Sequence, residues 1–210
     1  MSSGPSVIEK ARPGRLPQPL TSILAGLLVV GVAAFVYGLS SNPQIAWLAF
    51  HTNFIYFATL SQGALILVCA FVIVGARWPG PLRRIAEGLA AWIPVSFVLG
   101  CIGYFGGDYL FEWLREGAVH GKEPWLNAPR FYLTDLGLLL LFGVLAVVFL
   151  RISARPTLGG GGSDAMTGFA KSMAERWTAG WRGDAEEQEA SRAKLATISP
   201  LIVLIFAMGF

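Results

Sequence analysis

Charge is what this sequence has least of. Asp, Glu, Lys and Arg make up 14% of its 210 residues, where a soluble domain carries about 25%. Hydrophobic residues make up 54%. That balance excludes an ordinary water-soluble enzyme, a disordered chain and a nucleic-acid binder, all of which depend on charged surface. Cysteine is scarce too. Cys69 and Cys101 both lie in apolar runs, so there is no CxxC pair, no zinc spacing and no disulfide framework. Nor is there a set of roughly four thiols for an iron–sulfur cluster. The two histidines are His51 and His120. A bis-histidine haem needs two ligands at membrane depth, and His120 sits in a loop. Glycines 159–162 lack the following Lys-Ser/Thr of a phosphate-cradling loop. Inverted repeats and broken midplane helices, the marks of a transporter, are not read from the sequence. The chain is therefore expected to bind no redox cofactor itself.

What is present is apolar sequence in long blocks. Residues 16–76 contain no Asp, Glu, Lys or Arg. One helix of that length would reach roughly 90 Å, about three bilayer cores, so the block must fold back. The break is Ser40-Ser41-Asn42-Pro43, a turn cluster with a helix-stopping proline. This predicts helix 1 over 20–39 and helix 2 over 44–74. A second charge-free gap predicts helix 3 over 88–107, kinked at Pro94. Helix 4 is expected over 131–150, with Asp135 inside it. Residues 195–210 are uncharged but short of the roughly 20 needed to span. A fifth helix, incomplete at Phe210 or completed by another polypeptide, is expected there. The apolar run after Arg15 exceeds the 7–15 residues typical of a signal-peptide core, so an uncleaved first span is preferred. The fold expected is an all-α polytopic membrane bundle of about five spans. Its parts are an amino-terminal tail (1–19), a four-helix bundle (20–155), a linker with an interfacial helix (156–194) and the last helix (195–210).

Lysine and arginine set the topology. The amino tail has three, the first turn none, the 2–3 loop three, the 3–4 loop three and the 4–5 loop seven. Placing the amino terminus in the cytoplasm puts thirteen inside and three outside, as the positive-inside rule requires. In the 4–5 loop, Gly159–Gly162 reads as a flexible linker. After it, Met166, Phe169, Ala170, Met173, Trp177 and Trp181 recur at helical spacing among Lys171, Arg176 and Arg182. That pattern fits a helix lying in the membrane interface or one packed on a partner subunit.

With the amino terminus inside, three polar sets fall in the outer third of the bundle. They are His51, Asn53 and Tyr56 on helix 2, Tyr104 and Asp108 at the end of helix 3, and Tyr132 and Asp135 opening helix 4. Ionisable side chains in a membrane are costly, so each needs a partner, water or a function. The functional reading is an outward-opening pocket whose groups hydrogen-bond a quinone carbonyl or relay protons, with imidazole able to change charge near neutral pH. The plainer reading makes His51 a donor to a neighbouring helix carbonyl and pairs Asp135 with Arg130 or Lys122. The inner ends carry only Arg77, Arg83, Arg84 and Glu87, which suit the headgroup level.

Several stretches then look familiar: Trp47-Leu48-Ala49-Phe50-His51-Thr52-Asn53-Phe54, the GARWPGPLRRIAEGLAAWIP run over 75–94, the HGKEPWLNAPRF run over 120–131, and the closing SPLIVLIFAMGF. Together they resemble the NrfD/polysulfide-reductase-type membrane subunits. They are most similar to the ActF-type subunit of alternative complex III, a quinol:cytochrome c oxidoreductase, and match its amino-terminal half. The resemblance implies a multi-pass subunit of a bacterial inner membrane. Its partners would be other membrane subunits together with iron–sulfur and cytochrome c subunits carrying the clusters and haem c. Quinone sites or proton half-channels are expected inside the bundle. A non-catalytic scaffold of the same kind of complex is the alternative. The topology is checked by reporter fusions: one in the 2–3 loop should report cytoplasmic and one near Gly117 external. The reverse pattern would overturn the orientation.

Overall fold

The computed structural model describes residues 17–76, 78–114, 127–163 and 166–209. Of these, 89% are helical and none forms a strand. The helices are α1 (Gln18–Ser41), α2 (Pro43–Ile73), α3 (Gly80–Ala90), α4 (Ile93–Gly103), α5 (Gly107–Leu110), α6 (Ala128–Thr157), α7 (Phe169–Thr178) and α8 (Asp184–Gly209). Five stretches are long and apolar enough to cross a membrane: Gln18–Ser41, Pro43–Ile73, Gly80–Leu110, Ala128–Gly162 and Asp184–Gly209. The protein is an all-α polytopic bundle. Its amino tail, Arg77 and the 3–4 loop residues Arg115, His120 and Lys122 lie outside the described residues.

Local chemistry explains where these helices stop. Asn42 ends α1 and starts α2: its own N–H reaches Gly38 O at 2.8 Å, while its Oδ1 accepts from Ile45 N at 3.2 Å. Pro43 then supplies a first helical residue that needs no donor. The hairpin is tight, since a Cβ on Gly38 would meet that of Ala46 at 3.2 Å. At the other end of α2, Gly75 adopts φ +63°. Its N–H bonds Val72 O, and Ala76 N–H bonds Phe71 O. That double closure satisfies carbonyls which lipid could not.

The third span is two helices, α3 and α4, meeting at Ala91–Trp92 just before Pro94. The expected kink is there, and the break lies well inside the span. Its backbone stays bonded all the same: Ala91 N to Glu87 O, Trp92 N to Leu89 O and Ser96 N to Trp92 O. No unwound segment is left to coordinate an ion. Two helix starts differ from expectation. The third span begins at Gly80 and the fifth at Asp184, not at 88 and 195. Charge stops at those later positions, but helix formation does not. Residues 184–194 are rich in Ala, Glu, Lys and Arg, all strong helix formers, and Asp184, Glu186 and Glu187 sit favourably in the first turn of α8.

The packing unit also differs from the expected grouping of residues 20–155. α2 packs on α1, α3, α4 and α8, and α6 packs on α4 and α8. The four spans that share the core, each packed on its neighbours, are thus α2, α3–α4, α6 and α8. α1 buries no residue and lies against α2 through Phe35, whose ring meets Trp47 at 5.3 Å and Phe50 at 5.4 Å. The core holds Leu65, Val68, Cys69, Ile93, Phe142, Phe149 and Ile202 among the small residues Ala64, Ala86, Ala90 and Ala146. Small residues let helices approach where lipid offers no hydrophobic drive. At Gly143 the approach reaches backbone, with Pro94 Cα 3.6 Å from where a Cβ would sit.

One end of the bundle is held by arginine. Glu87, 6% exposed, receives Arg83 Nε at 2.9 Å and Arg84 Nη1 at 2.7 Å, and Ser153 donates to it. Arg83 and Arg84 also reach Ser153 and Thr157, tying α3 to α6. Arg155 pairs with Glu187 at 2.7 Å and donates to the carbonyls of Trp177, Ala179 and Gly180. One guanidinium thus joins α6, the end of α7 and the start of α8. The four glycines before α7 are not a loose linker. Gly161 takes φ +96°, and a Cβ on Gly159 would overlap the Trp181 ring. They form a packed corner whose plug is Trp181. That tryptophan is off the expected amphipathic helix because Gly180, at φ +71°, ends it first. Arg155→Ala should leave the Glu187 carboxylate without its cation and lower stability, with Arg155→Lys recovering little because it cannot fork to five oxygens. Thermal unfolding in detergent micelles checks this, and an unchanged melting temperature would contradict it.

Candidate functional site

Opposite the arginines, the bundle opens into a cavity of about 230 Å³ between α2, α4 and α6. α2 contributes His51, Phe54, Ile55, Ala58, Thr59 and Gln62. These recur at three- and four-residue steps, one stripe of a helix turning 100° per residue. α6 contributes Tyr132, Asp135, Leu136 and Leu139 by the same rule, and Gly100 and Gly103 of α4 floor the third side. Phe111 and Phe131 close the mouth, with ring centroids 5.1 Å apart. The His51 imidazole stands edge-on to Phe111 at 5.5 Å.

Three of the residues expected to form a site, His51, Tyr132 and Asp135, therefore share one cavity. Tyr104 supports it from outside, its ring 4.6 Å from that of Tyr132. Asp108 is exposed on α5 and does not line the cavity. Asn53 and Tyr56 turn elsewhere, because two and five residues past His51 are roughly 200° and 140° around the helix. The Asn53 amide donates to Ala49 O at 2.9 Å, and its side chain lines the groove between α1 and α2. Tyr56 is 61% exposed and rests on Phe57.

Two parts of the plainer reading are absent among the described residues. His51 makes no hydrogen bond to a helix carbonyl, and Asp135 makes no ion pair with Arg130. Lys122 lies outside the described residues. Nor are buried polar groups confined to this end. Glu87 and Ser153 at the arginine end, and Ser61, Ser96, Ser191 and Ser199 along the bundle, are all buried. The headgroup placement of Glu87 is corrected accordingly. Charge counting assigned Glu87 to the headgroups because it could not show that two arginines and a serine fold over it. Thr59 and Gln62 were missed as well. Their signal was present, since they continue the His51 stripe at eight and eleven residues. Among the described residues no group of three His, Cys, Asp or Glu side chains comes together.

Comparison with known proteins returned no match to a protein family, to a curated protein or to a solved structure.

The cavity wall depends on glycine where α5 begins. A Cβ at Gly107 would overlap the Tyr132 hydroxyl, which is buried and unpartnered among the described residues. Gly107→Ala should therefore displace Tyr132 and lower stability by about 1–3 kcal/mol. Adding Tyr132→Phe removes the colliding oxygen and should recover most of that loss. A double mutant no more stable than Gly107→Ala alone would show that the glycine is needed for another reason.

Proposed function

We propose that the chain is an integral membrane subunit of a respiratory quinol:cytochrome c oxidoreductase of the alternative complex III type. It supports quinol binding, proton transfer or both, while iron–sulfur clusters and haem c reside on partner subunits of a bacterial inner membrane. The observation that carries this reading is the meeting of His51, Tyr132 and Asp135 on one aromatic-walled cavity between α2, α4 and α6. A cavity of roughly 150 Å³ suffices for benzene, so about 230 Å³ accommodates a substituted ring. Phe54, Phe111 and Phe131 offer the ring its faces and edges. His51 and Asp135 can exchange a proton with a ring oxygen, and the Tyr132 hydroxyl can donate to one. When bound, the quinol supplies two electrons and two protons; this chain's residues bind it, orient it and take up protons.

The bundle surface favours a second, scaffolding reading of the same chain. α1 buries nothing, and Leu28, Val29 and Val30 are each about two-thirds exposed, a face open to lipid or to another subunit.

The two readings separate in the assembled complex. His51→Ala and Asp135→Asn should each reduce quinol oxidation by about 10²-fold, the lower range for loss of a general acid or base, without reducing the amount of complex. Unchanged oxidation and proton release in both variants would leave only the scaffold.

A further inference from the structure

The cavity has a deep end that the groups at its mouth do not reach. Gln62 lines it and is 5% exposed. No described residue exchanges a hydrogen bond with its amide. A primary amide offers two donors and an acceptor, and this one keeps access to the cavity, since the fully buried side-chain atoms left unpartnered among the described residues are the Tyr132 and Ser199 hydroxyls. On the same wall the Thr59 hydroxyl spends its hydrogen on Ile55 O at 2.8 Å. Around them Ala58, Gly100 and Leu139 are apolar. Gly100 adds closeness: a Cβ there would stand 3.0 Å from Leu136 and 3.2 Å from Leu139.

We infer that Gln62 is the second anchor of a ring ligand, binding the oxygen opposite the one that His51 and Asp135 serve. The inference rests on the quinol reading and narrows it to rings oxygenated on opposite edges. Gln62 lies eleven residues past His51, about 16 Å along the helix axis. Gly100 keeps the wall beside the ring free of a side chain, and the amide can choose between an oxygen and a hydrocarbon edge. Such a site rejects a ring lacking the second oxygen, because the amide would stay buried and unpaired.

The test uses the assembled complex in its membrane, with a short-chain 1,4-quinol as substrate and a photoreactive azidoquinol as probe. Gln62→Leu should raise KM about tenfold and leave kcat within about twofold, as expected for binding lost equally from ground and transition states. Gln62→Met, matched in length and more adaptable in packing, guards against a folding defect and should do the same. The azidoquinol should label peptides spanning 51–62 and 131–139 in the unaltered complex. Label absent from both peptides would overturn the quinol site and this inference with it. Label present with KM unchanged in both variants would overturn the Gln62 assignment alone. So would a loss of proton release at unchanged KM, which would assign the amide to ordered water.

Discussion

In hydrocarbon a hydrogen-bonding group has no partner except those the protein brings with it. Much of this structure follows from that constraint. Asn42 closes one helix and opens the next with a single residue. Gly75 folds the end of α2 back on its own carbonyls. Arg155 gathers three carbonyls and a carboxylate where α6, α7 and α8 meet. Even the interrupted third span keeps its backbone bonded through the break before Pro94. The same constraint makes the cavity conspicuous, because among the described residues the Tyr132 hydroxyl and the Gln62 amide that line it have no hydrogen-bond partner.

Packing is set by size more than by hydrophobicity. Both the lipid-facing and the core-facing sides of these helices are apolar, so alternation of polarity cannot choose the inward face. Alanines and glycines choose it instead. Gly143 lets α6 reach the backbone at Pro94, Gly106 takes the Trp47 ring where a Cβ would collide, and Gly159 takes that of Trp181. The two ends of the bundle are built differently as a result. One is stapled by ion pairs that bury Glu87 and Glu187. The other is walled by aromatic rings around a cavity. On the proposed reading, rigidity lies at the arginine end and ligand access at the aromatic end.

The breaks between helices were legible at Pro43 and Pro94, which stand at helix starts in the structure, whereas Pro156 and Pro200 lie inside α6 and α8. The extent of the helices was less legible where only charge changed. Asp184 to Lys194 looked like loop because it is polar, yet it is the first part of α8. Of the residues expected in a site, His51, Tyr132 and Asp135 came together, while Asn53, Tyr56 and Asp108 did not. For Asn53 and Tyr56 the helical period alone decides the matter. For Asp108 it does not, since that depends on how α5 turns after α4.

The sequence by itself determined that this chain crosses a membrane several times as helices, because a long charge-free polypeptide can satisfy its backbone in lipid only that way. It also determined which residues share a helix face, because 100° per residue is fixed by the backbone. Only the tertiary structure decided which faces meet. It placed α8 rather than α1 in the packed unit, buried Glu87 beneath two arginines, and aligned the His51 stripe of α2 with that of Tyr132 and Asp135 on α6. Those choices depend on the fit of small side chains between distant segments, and no local pattern of charge or hydrophobicity encodes that fit.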